Sequence, residues 1–124
     1  MADAGPDALR GRRLLIVEDE YMVAADLARA LEDLGVDVVG PAGSIEDALA
    51  LVAADGRING AVVDINLRGQ RAYPVADALH ARGVPFIFAT GYDAWIIPDL
   101  YSDVPRVEKP IDIRALARLL AKTG

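Results

Sequence analysis

The sequence predicts a single α/β domain built on a doubly wound, five-stranded parallel sheet with helices on both faces. Three observations carry that expectation. Short runs such as Leu14-Leu15-Ile16-Val17, Gly60-Ala61-Val62-Val63 and Pro85-Phe86-Ile87-Phe88-Ala89 are apolar throughout, as strands covered on both faces must be. Between them lie longer segments with apolar residues at the three- and four-residue spacing of a helix. The strand-like runs also end in polar or charged groups, and a parallel sheet gathers all its strand C-termini on one edge.

Residues 1–12 are small, polar and punctuated by Gly and Pro, and read as a flexible tail, leaving residues 13–124 as the domain. Leu14 to Val17 is the first strand. Tyr21 to Leu34 carries Val23, Leu27, Ala30, Leu31 and Leu34 on one helical face and stops at Gly35. Val36 to Gly40 is a short second strand. Ser44 followed by Asp47 resembles a capping box, and Ile45, Ala48, Leu49 and Val52 supply the buried face of a second helix. After the strand that ends at Asp64, Pro74 suits the first turn of a third helix, which runs to His80 or Arg82 before Gly83. Gly91 to Pro105 should hold a fourth helix, but Pro98 interrupts Ala94-Trp95-Ile96-Ile97, so that helix is expected to be short or mobile. Arg106-Val107-Glu108 is the last strand. Asp112 can cap a final helix with the stripe Ile113, Leu116, Ala117 and Leu120. The chain ends soon after it, and no effector domain is expected.

Composition removes several functions. With 53% hydrophobic and 26% charged residues the chain is globular rather than disordered. Nineteen acids against thirteen bases argue against a surface that neutralises nucleic-acid phosphates. The lack of cysteine excludes disulfides and thiolate metal sites, and a single histidine, His80, excludes a histidine-rich zinc centre. No signal-like N-terminus or membrane-length apolar run is present, so a cytoplasmic location without membrane attachment is the expectation.

Asp64 is the most informative residue. An aspartate at a strand end is by itself an ordinary turn or cap residue. Here three other strand ends carry groups that suit one chemistry: Glu18-Asp19-Glu20 after the first, Thr90 after the fourth, and Lys109-Pro110 after the fifth. Glu18 and Asp19 beside Asp64 would crowd three carboxylates into one cleft. Such a cluster resists shared ionisation and suits a hard cation, with Mg²⁺ the best match because it prefers oxygen ligands and binds phosphoryl oxygens at the same time. Lys109 and Thr90 could stabilise negative charge on a phosphoryl group carried by Asp64. The bond before Pro110 can adopt a cis turn that aims Lys109.

Together the acidic pair, Asp64 with Asn66 two residues on, Thr90 and Lys109-Pro110 resemble the receiver domain of two-component response regulators, over roughly Arg13 to Lys122. The resemblance implies a flavodoxin-like strand order 2-1-3-4-5, with Asp64 accepting a phosphoryl group from a histidine kinase or phosphotransfer protein. It further implies Mg²⁺ held by Asp19 and Asp64 directly, by Glu18 through water, and by the Asn66 carbonyl. Thr90 and Lys109 would contact the phosphoryl group and transmit a switch to a downstream protein. Such a domain is not an enzyme beyond the chemistry of its own acyl phosphate, and it works as a monomer or weak homodimer.

Arg106 departs from the family pattern, occupying the position of a switch aromatic. In its place Phe88-Ala89-Thr90-Gly91-Tyr92 resembles the motif of a stand-alone receiver subfamily, in which Tyr92 would join Thr90 as the switch. Two alternatives stay open: a phosphate sink for a kinase, and a haloacid-dehalogenase-like phosphatase, although the latter wants an aspartate where Asn66 stands.

Overall fold

A computed structural model describes residues 8–91 and 97–123. In chain order the elements are β1 (Arg13–Val17), α1 (Tyr21–Asp33), β2 (Asp37–Ala42), α2 (Ile45–Ala54) and β3 (Gly60–Asp64). A small antiparallel hairpin, β4 (Asn66–Leu67) and β5 (Gln70–Arg71), follows. Then come α3 (Tyr73–Ala81), β6 (Phe86–Thr90), β7 (Arg106–Glu108) and α4 (Ile113–Thr123). The main sheet is parallel throughout, in the order β2-β1-β3-β6-β7, which is the expected 2-1-3-4-5 arrangement once the hairpin is set aside.

Side chains alternate across a strand, so one strand feeds two cores. Leu15, Val17, Ala61, Val63, Phe86 and Phe88 pack toward α2 and α3. Leu14, Ile16, Val62, Ile87, Ala89 and Val107 pack against Leu27 and Leu31 of α1 and Leu116 and Leu120 of α4. Burial on both faces is why these strands read as unbroken apolar runs.

Helix ends follow the expected chemistry in two places. The Ser44 hydroxyl accepts from the Asp47 N–H at 3.1 Å, and Asp112 Oδ1 accepts from the Arg114 N–H at 2.9 Å at the start of α4. At α1 the residue before the helix, Glu20, makes no side-chain cap.

Two features differ from the sequence reading. The tail assignment does not hold for residues 8–12: Leu9 is 2% exposed within the α1/α4 core, and the Arg12 guanidinium donates to Asn59 and to the Leu120 carbonyl. One apolar residue in a polar stretch has no periodicity to announce it. β2 begins one residue later than expected and continues past Gly40 to Ala42, through a cis Gly40–Pro41 bond. The fourth helix, expected to be short or mobile between Gly91 and Pro105, lies partly outside the described residues; within 97–105 the helical backbone is a single 3-10 turn, Asp99–Tyr101. Tyr101 covers the β6 face there, with its ring 5.8 Å from that of Phe88 in an edge contact and 5.8 Å from that of Tyr73 in a stacked one. No helix among the described residues is long and apolar enough to cross a membrane.

Gly40 is required by geometry. Its φ is +91°, and a Cβ would lie 2.8 Å from the Ala42 nitrogen and 3.0 Å from the Ile16 carbonyl oxygen, both backbone atoms held in the sheet. Gly40→Ala is therefore expected to cost about 2 kcal/mol or more, combining left-handed strain with a clash that cannot relax. A urea-unfolding midpoint equal to that of the parent protein would contradict this.

Candidate functional site

Strand register brings the site together. Val17 pairs with Val63, so the next residue, Glu18, lies beside Asp64. Asp64 pairs with Ala89, which places Thr90 one step beyond it, and Thr90 pairs with Glu108, which places Lys109 one step further. Continued alternation puts Glu18, Asp64 and Lys109 on the face shared by Ile16, Val62 and Val107. Thr90 follows Phe86 and Phe88 onto the other face.

Lys109 is the hub. Its Nζ lies 2.7 Å from Glu18 Oε1 and 2.8 Å from Asp64 Oδ2, with Glu20 Oε1 at 3.8 Å. The other oxygens of the two buried acids meet backbone donors. Glu18 Oε2 accepts from the Glu20 N–H at 3.1 Å, and Asp64 Oδ1 accepts from the Asn66 N–H at 3.0 Å. Glu18 is 4% exposed and Asp64 5%, so both carboxylates have little water to replace a lost partner. Burial pushes the Glu18 carboxyl above its usual range, against the opposing pull of Lys109. Burial alone would lower the Lys109 ammonium, but its hydrogen bonds to Asp64 and Glu18 outweigh that and raise it.

Asp19 is held differently. Its Oδ2 accepts from the Arg68 N–H at 2.9 Å, while Oδ1 has no donor among the described residues. Carboxylate oxygens of Glu18, Asp19 and Asp64 all fall within 4.8 Å of one another. Three hard oxygen donors at that spacing, with a single lysine to offset their charge, fit a hard divalent cation. The cleft, about 320 Å³, is also lined by Asn66, Arg68, Gly69, Thr90 and Gly91.

Each expected residue among those described reaches this edge of the sheet. Thr90, 1% exposed, lines the cleft, and its hydroxyl is 3.4 Å from the Val107 carbonyl oxygen, to which it donates. Asn66 lies on the exposed start of the hairpin and contributes its N–H to Asp64. The Lys109–Pro110 bond is cis. Tyr92, the other expected switch residue, lies outside the described residues. Sequence reasoning passed over Arg68. Arg68 sits in a hairpin with two residues per strand, too short to show a period, and the Arg68-Gly69 pair between Leu67 and Gln70 was the available turn signal.

No protein-family model matches the chain, and no curated protein matches it by sequence. Solved structures do. The solution structure of SdrG from Sphingomonas melonis Fr1 is 40% identical with a TM-score of 0.80, over 94% of this chain and 97% of that one. The beryllofluoride-activated conformation of SdrG matches at 40% identity and a TM-score of 0.75, over 90% and 96%. The receiver domain of the response regulator PhyR from Erythrobacter litoralis is 25% identical, TM-score 0.80, over 94% and 92%. The receiver domain of the hybrid histidine kinase CckA is 26% identical, TM-score 0.72, over 90% and 97%. The parallel doubly wound sheet is thus shared with receiver domains of signalling proteins. The chain belongs to the receiver-domain family of response regulators.

Proposed function

We propose that this chain is a single-domain response regulator that accepts a phosphoryl group on Asp64 in a Mg²⁺-dependent reaction and thereby controls a protein partner. The observation that carries this reading is the Lys109 ammonium held at 2.7 and 2.8 Å from Glu18 and Asp64, in a cleft where Asp19 completes a three-carboxylate cluster. The activated conformation known for SdrG supports it.

In the proposed step an Asp64 carboxylate oxygen attacks phosphorus as the P–N bond of a phosphohistidine donor breaks. The bonding pair returns to the ring nitrogen, and imidazole leaves neutral because its other nitrogen carries the proton. Bound at Asp19 and Asp64, with Glu18 nearby and the Asn66 carbonyl as a further ligand, Mg²⁺ would supply charge neutralisation for the phosphoryl oxygens. Lys109, already aimed at Asp64, meets the new negative charge, and its exchange of partners loosens the contact with Glu18. Thr90 gives up a long hydrogen bond to Val107 at little cost when its hydroxyl turns to the phosphoryl group. Thr90 and Tyr92 would carry the change toward Lys109. The chemistry is confined to the chain's own aspartate, so it is no enzyme toward other substrates.

Incubation with acetyl phosphate and Mg²⁺, read by intact-protein mass, tests this. A labile acyl phosphate should accumulate. Turnover without accumulation would indicate a phosphatase, and no label at all would remove the reading. Pull-down with both forms then separates a partner-controlling regulator from a phosphate sink.

The metal ligands make a separate prediction. Glu18 has both oxygens engaged, whereas Asp19 keeps Oδ1 open. Asp19→Asn should therefore weaken Mg²⁺ binding by about tenfold or more, and Glu18→Gln by less. Equal effects in a calorimetric Mg²⁺ titration would contradict the assignment.

A further inference from the structure

Two cations line the cleft, Arg68 and Lys109, and Lys109 is committed to Glu18 and Asp64. Arg68 is not. Its guanidinium makes no hydrogen bond or ion pair among the described residues, although carboxylates crowd the same cleft. Its position is held at a steric cost. Arg68 and Gly69 form the two-residue loop between paired Leu67 and Gln70, with φ of +51° and +81°. Positive φ at both loop positions is the pattern that asparagine and glycine adopt with least strain, and a long side chain at the first gains nothing for the turn.

The side chain is also directed. A Cβ built on Gly43 would meet Arg68 Nη2 at 3.6 Å, the Glu18 carbonyl oxygen at 3.8 Å and the Asp19 Cα at 3.9 Å. The guanidinium thus lies alongside the backbone that presents the acidic pair, while the Arg68 N–H holds Asp19. Arg68 is exposed, so this charge stands at the mouth of the cleft and not at its floor.

An incoming phosphoryl donor is an anion that must pass Asp19, Glu20 and Asp64 on a chain of net charge −6. We propose that Arg68 is the contact that admits it: the guanidinium takes the phosphoryl oxygens of an acyl-phosphate or phosphohistidine donor at the cleft mouth and orients phosphorus toward Asp64. Guanidinium suits this task because its fork of N–H donors matches two phosphoryl oxygens at once. The inference rests on Asp64 being the phosphoacceptor. With acetyl phosphate, an Asp64 oxygen bonds to phosphorus as the P–O bond to acetate breaks. Acetate leaves with the electron pair and no proton moves.

The test is the rate of acyl-phosphate formation against acetyl phosphate concentration at saturating Mg²⁺, for the parent protein, Arg68→Gly, Arg68→Asn and Arg68→Lys. Glycine and asparagine both accept positive φ, so these variants keep the turn, and their unfolding midpoints should equal or exceed the parent's. Their second-order labelling rate should fall on the order of tenfold, the size of one charge-assisted hydrogen bond at an exposed site. Arg68→Lys should recover part of the rate, and labelling of Arg68→Gly should rise more steeply with salt than that of the parent, because the acids then repel the anionic donor unopposed at the cleft mouth. Labelling of Arg68→Gly and Arg68→Asn at the parent's rate and salt dependence would overturn the proposal while leaving Asp64 as acceptor. A parent protein that takes no label, or an Asp64→Asn variant that does, would instead overturn the reading on which it rests.

Discussion

Asp64→Asn should abolish acyl-phosphate formation while leaving the protein folded. The amide matches the carboxylate in size, so the end of β3 keeps its packing, but a neutral amide oxygen is no nucleophile at phosphorus. Stability changes little because two effects oppose each other. One of the two hydrogen bonds, from the Asn66 N–H to Oδ1 or from Lys109 to Oδ2, must become a donor-to-donor contact. Against that, one of the two buried carboxylates sharing a single ammonium loses its charge, which relieves Glu18. The net should stay within about 1 kcal/mol of the parent. Intact-protein mass after acetyl phosphate and Mg²⁺ treatment checks the first claim, and label at full stoichiometry in this variant would remove Asp64 from its role.

Lys109→Ala should destabilise the unphosphorylated protein by about 3 kcal/mol near neutral pH. From sequence alone the sign is open, since an exposed lysine contributes little. The structure decides it: Nζ is the ionic partner of both Glu18 and Asp64, whose side chains are almost wholly buried, and its removal leaves two charges in a poorly solvated pocket.

The pH dependence follows from the two shifts. Glu18 titrates above its usual range in the folded protein, so its ionised form costs stability at neutral pH, and that cost fades as pH falls through the folded value. Lys109 titrates above the usual lysine value, so its contribution is fully present below that value and is lost as pH rises through the folded one. The gap between parent and variant should accordingly be widest from neutral to mildly alkaline pH and narrow toward both extremes. Adding Glu18→Gln should restore part of the loss. Urea unfolding across pH would show this, and a Lys109→Ala protein as stable as the parent at pH 7 would contradict the burial argument. The same variant should also blunt the conformational response to beryllofluoride with Mg²⁺.

Much of this was legible in the chain. Leu14 to Val17, Ala61 to Val63 and Phe86 to Ala89 announce buried strands because coverage on both faces demands apolar residues at every position, a local signal. Helix stripes and the Ser44 and Asp112 caps are local in the same way. Once the strands are parallel, their polar ends must share one edge, so Glu18, Asp19, Asp64, Thr90 and Lys109 could be grouped before any coordinates. Tertiary structure decided what depends on register between segments far apart in sequence. It made Lys109 a bridge between Glu18 and Asp64, turned the Thr90 hydroxyl to Val107, buried Leu9 beneath α1 and α4, and set Tyr101 over β6. It also placed Arg68 at the cleft mouth through a hairpin of two residues per strand. Periodicity reports which face a residue takes within its own element; which partner it meets there is fixed by non-local pairing, and that has no signature in a local window.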